Sequence, residues 1–364
     1  MRIALLIDTW FPFIGGGQIN ALEISKRIAK ENLLIDIITR NNGKDDLNMP
    51  KNLKVFKLGP KAAPDDVISK IVYLLRSFFF VYKRDYDLVH AHAFLSGIIA
   101  RLLMVIKGIP GVLTIHGTSI GTDLNNQFSR RLEKFILTQI LYSAQITVSR
   151  DFLRIKNINK KILYIPNGID VNLFDNISTQ KFKNPTLIFV GRLHHQKNLK
   201  TLLQAVELAR KDIPDIKLLI VGEGSQKEEI KRLIKKLHLQ KIVKLSGKVT
   251  GRNLIKLYKS SHLFILPSIY EGQPLSLLEA WAAKLPVIVT KTGDCQYLVK
   301  DGENGYLINN PLDPTHIAKV IKKALLNRDL SKIGQNGYSL VKKNFSWEKF
   351  SQQTLRIYEK ISKT

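Results

Sequence analysis

The 364-residue chain has a single cysteine, Cys295. That excludes an internal disulfide framework and a thiolate-rich zinc site, and it fits a reducing compartment. Acid is also scarce, with 30 Asp and Glu against 57 Lys and Arg, for a formal charge of +27. Both halves share the excess, which suits an anionic membrane, a polyanionic substrate or nucleic acid as partner. No tract of Gln, Ser, Gly or Pro interrupts the apolar patterning, so a disordered or fibrous chain is excluded. Long apolar runs are missing too. The opening strand-like segment meets Asp8 too early for a secretory signal, and the charge-free stretches 108–122 and 135–149 are broken by polar residues and glycine. No transmembrane helix is predicted, and the expected location is cytoplasmic, with peripheral contact at the inner face of the cytoplasmic membrane.

Two charged segments stand out. Between Lys227 and Lys259 the basic residues read as solvated helix faces, with Glu228 spaced to pair with Arg232. Residues 71–84 instead crowd apolar and aromatic groups beside Arg76, Lys83 and Arg84, a pattern suited to a helix lying in a bilayer interface.

The patterning alternates buried strands with amphipathic helices and does so twice. Arg2 to Asp8 reads as a strand, Gly15-Gly16-Gly17 as a loop, and Gln18 to Glu31 as a helix; further strands follow at 34–39, 55–58, 88–92, 112–116, 146–149 and 162–165. After Asp170 the plan repeats, with strands at 186–190, 217–221, 243–245, 263–266, 286–289 and 305–308. Strands spaced by helices predict α/β architecture with parallel, doubly wound sheets. The expected domains are Rossmann-like units at 1–170 and 171–345, facing across a ligand cleft, and a terminal helix in 346–364 packing back on the first domain.

The segment Pro267 to Ala280 carries the most chemistry. It leaves a strand, passes Glu271-Gly272, and enters a helix with Pro274 suited to the first helical position. The amides of Leu275 and Ser276 then lie at the positive helix end, able to bind diphosphate. Glu271 and Glu279 bracket that position, and acceptor-only groups beside a phosphate site suit sugar and ribose hydroxyls, which suggests a nucleotide sugar. Arg192 and Lys197, after the strand at 186–190, supply matching cations.

These residues resemble the retaining glycosyltransferases of family 4, the group-1 glycosyltransferases of the B-type, two-Rossmann-domain fold. The matching motifs are Gly15-Gly16, His90-Ala91-His92, Thr114-Ile115-His116-Gly117, Thr147-Val148-Ser149, Ile165-Pro166-Asn167-Gly168-Ile169-Asp170, Val190-Gly191-Arg192-Leu193 with Lys197, Val221-Gly222-Glu223-Gly224, and Glu271 and Glu279 with seven residues between them. They run through most of the chain in family order. The resemblance implies that Arg192 and Lys197 neutralise the departing nucleoside diphosphate, with Gly15, Gly16, Gly272, Leu275 and Ser276 in donor binding. It assigns Glu279 to the ribose, and Glu271 and His116 to the transferred sugar. It also implies a UDP-sugar, or a GDP-sugar, as donor and a lipid-linked or polysaccharide acceptor in cell-surface glycan synthesis. Configuration would be retained, and no metal or other cofactor would be needed. Many relatives carry an acid after the glycine pair; here Gln18 and Asn20 stand in that region, and with His92 they are candidates for acceptor contact.

Neither His90 and His92 nor His194 and His195 is accompanied by acids or thiols that would complete a metal site. Competing functions are a sugar-nucleotide epimerase on a related fold and a basic nucleic-acid-binding protein. Nucleic acid is not an expected partner, because the basic run lacks interleaved aromatics, and composition says nothing of oligomeric state.

Overall fold

A computed structural model of the chain describes residues 1–45, 47–63, 66–117 and 127–362. The chain forms two units, Met1–Gly168 with Trp347–Thr364, and Ile169–Ser346. In the first unit β1 (Arg2–Ile7), β2 (Leu34–Arg40), β3 (Leu53–Leu58), β4 (Leu88–His92), β5 (Gly111–Ile115), β6 (Ala144–Thr147) and β7 (Ile162–Tyr164) form one parallel sheet. Its order is β3-β2-β1-β4-β5-β6-β7. Helices α1 (Gly16–Ile28), α2 (Val67–Tyr82), α3 (Ala93–Lys107) and α4 (Gln127–Thr138) lie between the strands in sequence. The central strands are apolar runs such as Ile3-Ala4-Leu5-Leu6 because parallel strands are covered on both faces.

The second unit comprises α5 (Val171–Asp175), β8 (Thr186–Val190), α6 (Leu199–Ala209), β9 (Lys217–Val221), α7 (Lys227–Lys236), β10 (Val243–Leu245), α8 (Gly251–Ser260), β11 (Leu263–Leu266), α9 (Leu275–Ala282), β12 (Val287–Thr290), α10 (Cys295–Leu298), β13 (Tyr306–Ile308), α11 (Pro314–Leu325) and α12 (Leu330–Asn344). Its sheet is also parallel, in the order β10-β9-β8-β11-β12-β13. Both sheets therefore reverse their strand order at one place, between β1 and β4 and between β8 and β11. In open α/β sheets, ligands bind beyond the strand ends at such a reversal.

The chain then returns to the first unit as α13 (Trp347–Ser362), which packs on α1. Arg27 Nε donates to Glu348 Oε1 at 2.8 Å across that contact. A Cβ on Gly168 would stand 2.5 Å from the Trp347 amide nitrogen, so only glycine lets the outgoing and returning strands of chain approach so closely.

Some local expectations are corrected. Helix α1 begins at Gly16, with Gly15 as its N-cap, and ends at Ile28 in a 3-10 turn over Ala29–Glu31. Pro274 is the N-cap of α9 and not its first residue, since its backbone is extended (φ −73°, ψ 122°). Glu228 pairs with Lys231 at 2.8 Å, not with Arg232, because the i,i+3 lysine reaches it from the same helical face.

Helix α2 packs Leu74, Phe78 and Phe80 against the core and still leaves a second apolar face outward. Its buried residues are Ser69, Tyr73, Ser77 and Val81, while Val67, Ile68, Ile71, Leu75, Phe79 and Tyr82 are exposed, Ile68 to 72%. Two of the buried polar side chains are engaged internally: the Ser69 hydroxyl donates to the Asp66 carbonyl at 2.9 Å, and the Tyr73 and Ser96 hydroxyls meet at 3.0 Å. Leu102, Val105 and Ile106 of α3, which packs on α2, are exposed as well.

Candidate active site

In the second unit the strand end after β8 is built from backbone. The Gly191 amide donates to the Val221 carbonyl at 3.0 Å and the Leu193 amide to the Glu223 carbonyl at 2.9 Å. Gly222 has φ +144°, and a Cβ there would lie 1.9 Å from the Gly191 oxygen, so the two loops can touch only through glycine. Arg192 leaves this loop exposed, and its guanidinium has no ion-pair partner among the described residues.

A 3-10 turn, His195–Lys197, carries the next cation. Asn198, in the left-handed region at φ 55°, anchors it by donating to the carbonyls of Pro267 at 3.2 Å and Pro311 at 2.6 Å. Gln196 ties the same turn to the segment after β11: the Ile269 amide donates to its carbonyl at 2.8 Å, and its side chain donates to the Tyr270 carbonyl at 2.8 Å. These four bonds place Lys197 Nζ 2.5 Å from Glu271 Oε1, with both side chains largely buried. Glu271 is backed by the loop before α10. Gly293 there has φ +53°, and a Cβ on it would stand 2.3 Å from the Glu271 carbonyl oxygen. The Asp294 amide donates to the Gly272 carbonyl at 2.8 Å.

Helix α9 starts three residues after Gly272. Its first bond runs from the Leu277 amide to the Pro274 carbonyl at 3.2 Å, and by position the amides of Leu275 and Ser276 have no intrahelical acceptor. Glu279 lies farther along α9. The Tyr258 hydroxyl of α8 donates to its Oε2 at 2.8 Å, and among the described residues its other oxygen has no donor. Burial raises the Glu279 carboxyl above its usual range, and the Tyr258 bond works against that rise. The Tyr258 phenol is itself pushed up by burial and by Glu279. The second unit thus gathers Arg192, Lys197, Glu271, Gly272, Leu275, Ser276 and Glu279 around the β8/β11 reversal.

The first unit presents a different chemistry at β1/β4. Gln18 donates to the Thr9 carbonyl at 3.2 Å, closing the loop that ends in Gly15. Asn20 is buried and donates to Asn167 Oδ1 at 2.9 Å. Trp10, in the same loop, is fully buried, whereas Phe13 is exposed. His90 and His92 lie two residues apart on β4 and so project from one face. His90 Nδ1 meets the Tyr358 hydroxyl of α13 at 2.5 Å, and its Nε2 meets Thr114 Oγ1 at 2.7 Å. His92 Nδ1 meets His116 Nε2 at 2.8 Å, with the rings stacked at 17°. The Cβ of an alanine at Gly17 would lie 3.1 Å from His116 Cδ2, so the α1 start abuts that ring. Burial lowers His90 to about 3 and His116 to about 4, and holds His92 well below the ordinary histidine value. Among the described residues no group of three His, Cys, Asp or Glu is placed to hold a metal ion.

Sequence reasoning missed three contributors. Tyr258 and Tyr358 sit in helices with ordinary apolar spacing, and Gly293 follows a strand without a recognisable motif; Thr114 stands in a matching motif, but its bond to His90 was not foreseen. Only the fold reveals their partners.

Two Rossmann-like parallel-sheet units, with cations and carboxylates at the strand reversal of the second, define the B-type glycosyltransferase architecture. The profile for "Glycosyl transferases group 1" matches residues 172–340, and that for "Glycosyltransferase Family 4" matches residues 14–173. The chain belongs to this group-1, family 4-like class of glycosyltransferases. A glycosyltransferase of Methanocaldococcus jannaschii without a known reaction is 28% identical over 98% of each chain. The UDP-Gal:alpha-D-GlcNAc-diphosphoundecaprenol alpha-1,3-galactosyltransferase of Escherichia coli is 26% identical, with 91% of this chain and 92% of that one aligned. Among solved structures, sucrose-phosphate synthase from Thermosynechococcus elongatus superimposes with a TM-score of 0.86 at 22% identity, covering 99% of this chain and 98% of that one. HepE of Anabaena, solved with UDP-glucose, gives 0.80 at 19% identity over the full length of both chains.

Proposed function

We propose that the protein transfers a sugar, with retention of configuration, from a UDP-sugar to a lipid-linked or polysaccharide acceptor. The observation that carries the reading is the Lys197–Glu271 pair, 2.5 Å apart and held by backbone bonds beside the free amides of α9. A carboxylate sharing an anion-binding helix start with a diphosphate would repel it; Lys197 offsets that repulsion, and the acceptor oxygens of Glu271 suit sugar hydroxyls. Glu271 serves the transferred sugar, Glu279 the ribose, and Arg192, Lys197 and the Leu275 and Ser276 amides the diphosphate. The E. coli relative, which uses UDP-Gal and a diphosphoundecaprenol acceptor, and HepE with its UDP-glucose support the choice of donor and acceptor.

In the proposed reaction the acceptor hydroxyl approaches the anomeric carbon on the face from which the diphosphate leaves. The carbon–phosphate oxygen bond breaks, the new glycosidic bond forms, and the departing phosphate oxygen takes the acceptor proton. Stabilising charge on that phosphate is then the main task, and Arg192, Lys197 and the α9 amides supply the positive side without a metal. Incubation with UDP-glucose, UDP-galactose, UDP-N-acetylglucosamine and GDP-mannose, read by thermal shift and then by product NMR, tests the reading. Stabilisation by a UDP-sugar, an unchanged anomeric configuration and turnover unaffected by EDTA are expected. Full activity of both Lys197→Ala and Glu271→Ala would reject it.

The exposed apolar face of α2 supports peripheral contact with an anionic membrane. No helix among the described residues is long and apolar enough to cross one. Six exposed apolar side chains accompany exposed Arg76 and Lys83, the combination that favours an interfacial position. Co-sedimentation with phosphatidylglycerol vesicles but not phosphatidylcholine vesicles is expected, and loss of binding in Phe79→Asp at unchanged Tm.

A further inference from the structure

The stack of histidines at the end of β4 and β5 carries an inference of its own. His92 is buried, wedged between the His90 ring at 4.5 Å and the His116 ring at 5.0 Å. His90 is fully committed, one nitrogen to Tyr358 and the other to Thr114. His92 and His116 instead bond to each other, Nδ1 to Nε2, which leaves His92 Nε2 and His116 Nδ1 buried without a hydrogen-bond partner among the described residues.

A nitrogen-to-nitrogen hydrogen bond between two neutral imidazoles holds one proton. If His92 Nδ1 carries it, His116 Nε2 is bare, so His116 carries its own proton on Nδ1 and His92 Nε2 is bare. If His116 Nε2 carries it, both Nδ1 atoms are bare and His92 Nε2 is protonated. The two rings therefore always share a tautomer, and the pair always offers one donor and one acceptor at its two ends. Because those ends lie on different rings and point away from the shared bond, no single ion can bridge them. Two buried polar atoms, one of each sense, suit ligand hydroxyl groups or water, each of which can donate and accept.

We propose that His92 and His116 act as one tautomer-coupled unit, in which His92 is the positioning residue that fixes the ring plane and hydrogen-bonding sense of His116 toward a hydroxyl of the bound sugar. The proposal rests on the reading in which His116 serves the transferred sugar. His92 never touches that sugar; it acts through the bond at 2.8 Å.

Two measurements on the full-length protein test it. Long-range nitrogen–proton NMR of 15N-histidine-labelled protein at pH 7.5 is expected to show His92 and His116 both as Nδ1–H or both as Nε2–H. Opposite tautomers in the two rings would overturn the coupling whether or not the protein turns over any sugar nucleotide. The second is a double-mutant cycle in hydrolysis of the UDP-sugar that gives the largest thermal shift. His92→Phe is expected to lower kcat about tenfold, as loss of a buried hydrogen bond near the reacting sugar would. His92→Asn, which keeps a polar group near the place of Nδ1, is expected to recover most of it. The double variant His92→Phe with His116→Phe should be no slower than His116→Phe alone. Multiplying losses would show an independent, merely structural role and refute positioning. Should the unmodified protein turn over none of the sugar nucleotides, the functional reading falls while the NMR result still decides the coupling.

Discussion

Acid is expected to unfold the first unit earlier than the second, and the histidine stack sets the size of the effect. An unfolded histidine takes a proton near pH 6.5. In the folded unit burial holds His90 at about 3, His116 at about 4 and His92 well below its ordinary value. Folded pKa values below the unfolded one mean that the stability is complete above pH 6.5 and is lost as pH falls toward the folded values. Between pH 7 and pH 5 the unfolded chain gains about 2 kcal/mol of protonation free energy per histidine that folded His90 and His116 cannot match, or about 4 kcal/mol for the two, and His92 acts in the same direction. That approaches the lower end of domain stabilities, about 5–15 kcal/mol. Glu279 has the opposite sign, since its raised carboxyl favours the folded state at lower pH, but it belongs to the second unit. The assay is hydrogen–deuterium exchange at pH 7.0, 6.0 and 5.0, corrected for intrinsic rates, comparing peptides over β4 and β5 with peptides over β8 and β11. Protection in β4 and β5 should fall steeply and selectively, and His90→Gln should flatten the slope by about a third. Equal pH dependence in both sheets, or a slope unchanged in His90→Gln, would refute the reasoning.

Three further outcomes are expected. Tyr258→Phe removes the hydroxyl that donates to Glu279, so the carboxyl rises further; donor KM should increase about fivefold, with kcat nearly unchanged, when initial rates are measured at pH 7. Gly293→Ala forces a Cβ to 2.3 Å from the Glu271 carbonyl and a non-glycine residue into φ +53°, and should lower Tm and abolish the thermal shift with UDP-sugar. Tyr358→Phe leaves His90 Nδ1 buried without its partner and should cost about 1–3 kcal/mol in urea unfolding of the first unit.

The sheets were legible because parallel strands covered on both faces must be continuous apolar runs, as at Leu187-Ile188-Phe189 and Val287-Ile288-Val289. The cations and carboxylates of the second unit were legible for a related reason: Arg192, Lys197 and Glu271 follow strand ends, and strand ends carry an α/β protein's chemistry. Helix boundaries at glycine and proline were read less well. Gly16 and Gly17 lie inside α1, where Gly17 abuts the His116 ring, and Pro274 caps α9 with an extended backbone without entering the helix. The histidine stack was invisible. His90, His92, Thr114, His116 and Tyr358 span most of the chain, and nothing in their spacing announces that β4, β5 and α13 bring them together. For α2 the crowding of apolar and aromatic groups beside basic ones was legible, but not which of them pack inward, as Leu74 and Phe78 do, and which face outward, as Leu75 and Phe79 do.

The route of the chain bears on its synthesis. Residues 347–362 leave the ribosome after all of 169–346, yet they bring Trp347, Phe350 and Tyr358 to the interior of the unit made first. At about 5–20 residues per second, that earlier unit waits on the order of ten seconds or longer for its last helix. During the interval its apolar seat for α13 is open to chaperones and to neighbouring nascent chains. A premature stop just after residue 346 would therefore spare every residue of the later unit and leave the earlier one as the aggregating half.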